Sequence, residues 1–475
     1  MDQLNGPKRT KIVCTIGPAS NTPETIDQLI EAGMDVARLN FSHGDHESHR
    51  ATLEMVRAAS AKAGRPIGIL QDLAGPKIRL GKLDPPEREL KAGEEVVLTS
   101  GDHQVDEALP VNYQYLAEDV EVGDRILLAD GLVEMRVVAE EGERVTARVL
   151  VGGMISSQKG VNLPVSSLRV PSFTDKDRKD LAAGLEMGVD FVALSFVRHE
   201  DDLDEVADII NSCDDPPLLI AKIEKPQAVE RIKEILARVG GVMVARGDLG
   251  VEMPLEEVPM VQKRIIALAR RAGKPVITAT QMLRSMMTSP RPTRAEANDV
   301  ANAILDGTDA VMLSDETAVG NYPVQAVEIM NRVARATEPS LFSRNFLKET
   351  PTGLLPVTEA AISRAACFLA EDVEAAAIVA GTASGGSARL VARFRPPRPV
   401  VGFTANPSTC RQLALSWGVL PVLTADYRDT DGLLSDAARW VSEKGVASPG
   451  DRLVITAGSP VGQPGTTNLL KVVQL

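Results

Sequence analysis

The chain has 475 residues, 44% of them hydrophobic and 25% charged, with a net charge of −13. That length exceeds what one hydrophobic core usually organises. The acidic balance excludes general binding to nucleic acid or anionic membranes, and no run reaches the ~20 apolar residues of a membrane span.

Four cysteines (Cys14, Cys213, Cys367, Cys410) occur without a CxxC pair, which suits reduced packing thiols better than a disulfide or zinc framework. The N-terminus lacks an apolar signal region. Together these features predict a cytoplasmic protein in which any phosphorylated partner is held by a focused cluster of cations and amides.

From Lys11 to about Tyr322, short apolar runs alternate with longer helix-like stretches, the pattern of βα units around a parallel sheet. Eight runs read as strands: Ile12–Ile16, Val36–Phe41, Ile67–Leu73, Phe191–Phe196, Leu218–Ile223, Gly241–Ala245, Pro275–Ala279 and Ala310–Leu313. Eight such units predict an α/β fold, a closed (β/α)8 TIM barrel, with its active site at the C-terminal ends of the strands. Between Gly75 and Pro171 the alternation stops, and Glu94–Thr99, Arg125–Ala129, Val133–Ala139 and Arg144–Val151 read as an all-β insertion. Inserted after strand three, on the active-site rim, it is either a lid over substrate or a decorative module.

A helical stretch near Ala326–Arg335 follows, then Gly and Pro punctuation at Pro351–Pro356 that reads as a linker. Ala376–Val379, Pro399–Phe403, Val419–Leu423 and Arg452–Thr456 then predict a compact C-terminal α/β domain. The expected division is 1–74 with 172–342 for the barrel, 75–171 for the lid and 343–475 for the C-terminal domain.

Strand two runs into Arg38-Leu39-Asn40-Phe41-Ser42-His43-Gly44, and period-2 alternation turns Arg38, Asn40 and Ser42 to one face. An arginine at that rim is a natural clamp for phosphate or carboxylate. Strand five ends in Lys222-Ile223-Glu224, with Lys222 and Glu224 on one side, and strand six in Arg246-Gly247-Asp248, pairing Arg246 with Asp248 in the same way. Either pair alone reads as a structural ion pair. Together, two carboxylates from adjacent strands suit a hard divalent cation, Mg2+ or Mn2+, completed by waters and substrate oxygens. Gly247 and Gly250 open backbone amides at the start of the next helix. Strand seven supplies Thr278 and Thr280, read as sharing a face, and strand eight ends in Ser314-Asp315. His43, His46 and His49 read as a solvated helix start rather than a zinc site. Unaided, these residues give a divalent-cation barrel enzyme for an acidic small molecule bearing phosphate or carboxylate, and do not identify it.

In order and spacing, Lys11–Pro18, Ala37–Gly44, Lys222-Ile223-Glu224, Ala245–Glu252, Thr278–Met282, Ser285-Met286 and Arg291–Glu296 resemble the signature segments of the pyruvate kinase family over essentially the whole chain. The resemblance implies transfer of a phosphoryl group from phosphoenolpyruvate to ADP. It implies Glu224 and Asp248 as ligands of the divalent cation, Lys222 and Arg38 on the phosphoryl group, and the amides of Gly247 and Asp248 on the substrate carboxylate. Thr280, with Ser314 behind it, resembles the relay that protonates the enolate. His43, Arg79 and Lys176 resemble contacts to the nucleotide phosphates.

Family members that bind K+ do so through positions matching Asn40, Ser42, Asp72 and the backbone of Leu73. This chain has Leu73, Ala74 and Lys77 where those members carry threonine, lysine and glutamate. With Leu80, these residues resemble the potassium-independent branch, so K+ is expected to be dispensable, with the Lys77 ammonium in its place. Asp315 is a second departure, standing where glycine is common. The turn Thr382-Ala383-Ser384-Gly385-Gly386-Ser387 resembles the family's sugar-phosphate effector loop, with Gly462–Thr467 as its second loop. By itself the turn reads equally as an ordinary capped strand-to-helix connection. The effector, a sugar phosphate or a nucleotide, is not legible. A homotetramer rests on the resemblance alone. A Mg2+-dependent lyase or aldolase of pyruvate-like enolates would share the barrel residues without needing a lid or nucleotide, and intact Lys222, Glu224, Asp248 and Thr280 argue against a silent sensor.

Overall fold

The computed structural model describes residues 8–129, 131–164, 168–342, 344, 346–348, 353–425, 429–458 and 467–475. Eight parallel strands close into a barrel: β1 (Lys11–Thr15), β2 (Val36–Asn40), β3 (Gly68–Asp72), β4 (Phe191–Leu194), β5 (Leu218–Ile223), β6 (Gly241–Ala245), β7 (Val276–Ala279) and β8 (Ala310–Leu313). Sequential strands are neighbours, and β1 pairs with β8 in the register Lys11↔Ala310 to complete the ring.

Strand residues point alternately inward and outward, and both directions are buried. Val13, Val36, Leu70, Phe191, Ala193, Ile220, Met243 and Ile277 fill the barrel, while Ile12, Cys14, Ala37, Leu39, Ile69 and Val192 pack outward with the surrounding helices. Two residues beyond the inward apolar layer, on the same face, come Thr15, Arg38, Asp72 and Lys222. The period that builds the core therefore also delivers a polar ring to the C-terminal mouth. Register places Thr15 beside Arg38, and Asn40 beside Asp72.

The helices begin on local capping chemistry. Asp45 and Ser48 form a capping box on helix His46–Ala63, as do Thr174 and Asp177 on Asp175–Met187 and Thr293 and Glu296 on Arg294–Asp306.

After β3 the chain builds a six-stranded sheet in the order Val161–Asn162, Arg125–Leu128, Val133–Glu141, Arg144–Val151, Glu95–Ser100, Leu109–Val111, with Gly153–Ser156 and Glu87–Leu90 paired beside it. It has a separate core around Leu98, Val111, Leu116, Ile126 and Met135. Four of these eight strands were not expected from sequence; each has four residues or fewer, too short to show a period.

The C-terminal sheet has five strands, not the four expected: Ala377–Gly381, Val400–Thr404, Val419–Leu423, Arg452–Gly458 and Thr467–Gln474. The last runs antiparallel along Arg452–Gly458 at the edge. The sheet's connecting segments seal the closed end of the barrel: Leu415 joins the barrel's inner cluster, and the fully buried Trp417 donates its amide to Asp309 Oδ1 at 3.1 Å.

Candidate active site

At the barrel mouth, Asp72 from β3 accepts Arg38 Nε at 2.7 Å and faces Lys222 Nζ at 3.3 Å. Lys222 also contacts Glu224 Oε1 at 2.8 Å and donates to Ser195 Oγ at 2.7 Å. All four charged side chains are largely or fully buried. Burial alone would raise the Asp72 pKa, but Lys222 and Arg38 outweigh it and hold the carboxyl below the usual range. Burial likewise opposes the Lys222 charge, yet Asp72, Glu224 and Asp248 prevail and raise its pKa, which keeps the ammonium charged at neutral pH. Arg38 is steadied by a second bond, Nη1 to Thr15 Oγ1 at 2.9 Å. A fixed pair of cations thus faces the open end, in a setting where positioned charge acts strongly on phosphoryl oxygens.

Glu224 accepts the Phe196 amide at 2.8 Å through Oε2. Its pKa is raised, first by burial and further by the nearby Asp248 charge, against the pull of Lys222. A buried carboxylate that resists ionising beside a second carboxylate is a donor a divalent cation relieves. Among the described residues no cluster of three or more His, Cys, Asp or Glu is placed to hold a metal.

Two expectations about side-chain direction need correction. Arg246 does not pair with Asp248. Strand β6 ends at Ala245 and a helix starts at once, Arg246–Glu252, so alternation no longer applies. Arg246 instead reaches Asp299 Oδ1 at 2.7 Å and the Thr280 carbonyl at 2.8 Å. Nor do Thr278 and Thr280 share a face. Thr278 is buried against Thr308 Oγ1 at 3.0 Å, whereas Thr280 lies past the end of β7 with φ +72°, followed by Gln281 at +54°. Left-handed backbone at a β-branched residue is costly and concentrates at functional sites. The twist brings Thr280 Oγ1 to 2.7 Å from the Gly247 amide, whose proton it accepts. The Gly247 amide expected on a substrate carboxylate is thus held by Thr280 in this structure. Ser314 follows β8, and its amide donates to Glu316 Oε2 at 2.8 Å.

On the insert's side, Lys77 Nζ donates to Ser42 Oγ at 2.8 Å, and the Ser42 amide bonds Asn40 Oδ1 at 3.2 Å. Burial first, then Lys222 and Arg79, lower the Lys77 pKa. The Leu73 carbonyl accepts Ser195 Oγ at 2.7 Å. His43 is exposed; partial burial and the neighbouring Lys77, Arg79 and Arg38 lower its pKa. Arg79 donates to the Gln158 carbonyl at 2.8 Å. Lys176 reaches the Phe41 carbonyl, one residue before Ser42, at 2.7 Å and Asp180 at 2.5 Å. A cleft of about 330 Å³ runs between insert and barrel, lined by Lys77, Arg79, Asn162, Arg198, Lys225 and Asp248 among others.

Sequence reasoning passed over Thr15 and Ser195, although both stand at strand ends on the same rim and the rule that found Arg38 would have found them. It also passed over a clasp between insert and barrel. Glu252, buried four residues beyond Asp248, accepts Asn162 Nδ2 at 2.9 Å and Lys225 Nζ at 2.7 Å. No local signal marks that contact. In the C-terminal domain, Thr382 donates its amide to the Phe403 carbonyl at 2.9 Å, Gly385 has φ +83°, and Ser387 Oγ lies 2.6 Å from Thr467 Oγ1. Ser384 presents its carbonyl to Arg389 at 2.6 Å. Residues 462–466 of the second expected loop lie outside the described residues.

The family described as pyruvate kinase, barrel domain, matches residues 7–327, and pyruvate kinase, alpha/beta domain, matches 360–473. The chain belongs to the pyruvate kinase family. It is 48% identical to pyruvate kinase 2 of Synechocystis over 473 residues, 98% of this chain and 79% of that protein. A pyruvate kinase of Mycobacterium intracellulare is 47% identical over 467 residues, 98% of each chain. The crystal structure of a pyruvate kinase from Cryptosporidium parvum superimposes with a TM-score of 0.92 at 37% identity, covering all of this chain and 97% of that one. Membership makes the chain an enzyme, a phosphotransferase with pyruvate kinase function, and the family implies phosphoenolpyruvate and ADP as its substrates. No helix among the described residues is long and apolar enough to cross a membrane.

Proposed function

We propose that the barrel mouth transfers the phosphoryl group of phosphoenolpyruvate to ADP in a Mg2+- or Mn2+-dependent reaction of glycolysis, without a requirement for K+. The observation that carries this is Lys222, held charged between Asp72 and Glu224 with Arg38 alongside. Arg38 and Lys222 neutralise the phosphoryl oxygens, and catalysis rests on their fixed position and charge. Glu224 and Asp248 hold the divalent cation, which supplies charge to the enolate and carboxylate oxygens when bound.

The Gly247 and Asp248 amides take the substrate carboxylate, for which Thr280 must release the Gly247 amide. Thr280 with Ser314 then serves the proton relay that turns the enolate into pyruvate. His43, Arg79 and Lys176 contact the nucleotide, across a cleft the insert closes as a lid. The Lys77 ammonium, on the hydroxyl of Ser42, supplies the positive charge that K+ supplies elsewhere, near Asn40, Asp72 and Leu73.

The chain divides into the barrel (1–74 and 172–342), the lid (75–171) and a regulatory domain (343–475). In that domain the turn Thr382–Ser387, with Ser384, Gly385 and Ser387, receives a sugar-phosphate or nucleotide effector. The protein works as a cytoplasmic homotetramer.

The test is pyruvate formation from phosphoenolpyruvate, with and without ADP, divalent metal and K+. Activity that needs ADP and metal but not K+ is expected; pyruvate formed without nucleotide overturns the transferase reading.

A further inference from the structure

The seam between barrel and C-terminal sheet gathers five basic side chains around one small cavity. A cavity of about 10 Å³ is lined there by Arg270, Lys274, Arg389, Arg393 and Arg395, with Asp309 as the carboxylate and Ser416 as the hydroxyl. Asp309 is already committed: Oδ2 binds Arg395 at 2.9 Å, and both oxygens take backbone amides, from Val276 and Trp417. Arg270 and Arg393 donate to the carbonyls of Arg393 and Arg271 and stack on Phe346 and Phe394.

Arg389 and Lys274 differ from these. Arg389 uses Nη2 for the Ser384 carbonyl at 2.6 Å, but its Nη1 is buried without a partner. Gly385 leaves room for it, since a Cβ there would come within 2.5 Å of Nη1. Burial alone pushes the Arg389 guanidinium down to about 10, with no carboxylate opposing it. Lys274 is lowered first by burial and then by Arg389 itself. Among the described residues neither has a carboxylate partner. Ser416, 1% exposed, has no partner for Oγ. Two half-buried cations beside each other, one with a guanidinium nitrogen shut off from water, raise the free energy of the fold unless a counter-charge joins them. A cavity of this size holds one water-sized particle. Water would satisfy the donors but leave both charges unbalanced.

We propose that this seam is a binding site for one small inorganic anion of about chloride size, held by Arg389 Nη1, Lys274 Nζ and Ser416 Oγ. Lys274 belongs to the barrel, just after helix Val258–Arg271, while Arg389 belongs to the C-terminal domain on helix Gly386–Ala392. The anion therefore ties the two together. Because the other arm of Arg389 holds Ser384, occupancy also stiffens the Thr382–Ser387 turn against the barrel.

Thermal unfolding of the full chain is measured while chloride replaces gluconate at constant ionic strength, and bromide-soaked crystals are examined by anomalous diffraction. A saturable rise in Tm with chloride is expected, together with a bromide peak between Arg389 and Lys274. Lys274→Met removes the chloride response. Ser416→Ala, a milder change that keeps both cations, weakens the chloride midpoint about tenfold, the loss of one charge-assisted bond. A bromide-soaked crystal with no peak in the seam overturns the proposal. So does a chloride response of equal size in wild type and both variants, which would report general salt stabilisation.

Discussion

Replacing Asp72 by asparagine keeps the shape of the side chain and deletes the charge that Arg38 and Lys222 share. At an effective dielectric constant of about 20, unit charges at the observed 2.7 and 3.3 Å attract by about 6 and about 5 kcal/mol before desolvation is counted. Most of that attraction offsets the cost of taking the three groups out of water. Removing one partner leaves the others buried and unbalanced, which typically costs about 3–5 kcal/mol. Lys222 keeps Glu224 at 2.8 Å, so Asp72→Asn is expected near the lower end, about 3 kcal/mol. Urea unfolding at neutral pH measures it, and a cycle with Arg38→Met isolates the pair, with an expected coupling of about 1–3 kcal/mol. A loss under about 1 kcal/mol, or strict additivity with Arg38→Met, refutes the claim that Asp72 organises the polar ring.

Lys77→Glu should leave the enzyme dependent on K+: with a bulky organic cation as the sole salt, kcat falls about 10- to 100-fold relative to wild type and recovers when K+ is added. A variant indifferent to K+ removes Lys77 from that role. Thr280→Val keeps the branched shape and deletes the hydroxyl that accepts the Gly247 amide; kcat should fall about 100-fold while stability changes by about 1 kcal/mol. Unchanged kcat in single-turnover assays would exclude Thr280 from the relay. The pH dependence of stability has a definite sign. The folded-state pKa of Asp72 lies below its ordinary 3.8, so its contribution is present above that value and lost as acid carries the pH through the lower one. Lys222 is raised above 10.5, so its contribution is complete below that pH and lost only in stronger alkali. Acid unfolding of Asp72→Asn should accordingly show a shallower slope below pH ~4 than wild type.

All eight barrel strands were legible because the same two-residue period sets both the buried layers and the rim above them. Arg38 and Lys222 could be found by counting along strands, Asp72 was reached only through the family resemblance, and Lys222 and Glu224 do meet, as alternation requires. Alternation failed wherever the backbone left the strand. Arg246 turned to Asp299 because a helix begins there, and Thr280 parted from Thr278 because its φ is positive; neither event has a periodic signature. Short lid strands and the antiparallel edge strand Thr467–Gln474 escaped notice for a related reason, since their pairing with distant segments, not their own pattern, makes them strands. What only the tertiary structure decided are contacts between residues far apart in sequence. Lys77 on Ser42, Asn162 and Lys225 on Glu252, and Arg389 beside Lys274 each depend on how separate elements dock. Local sequence sets which way a side chain points from its own element, but the docking of whole units chooses what it meets.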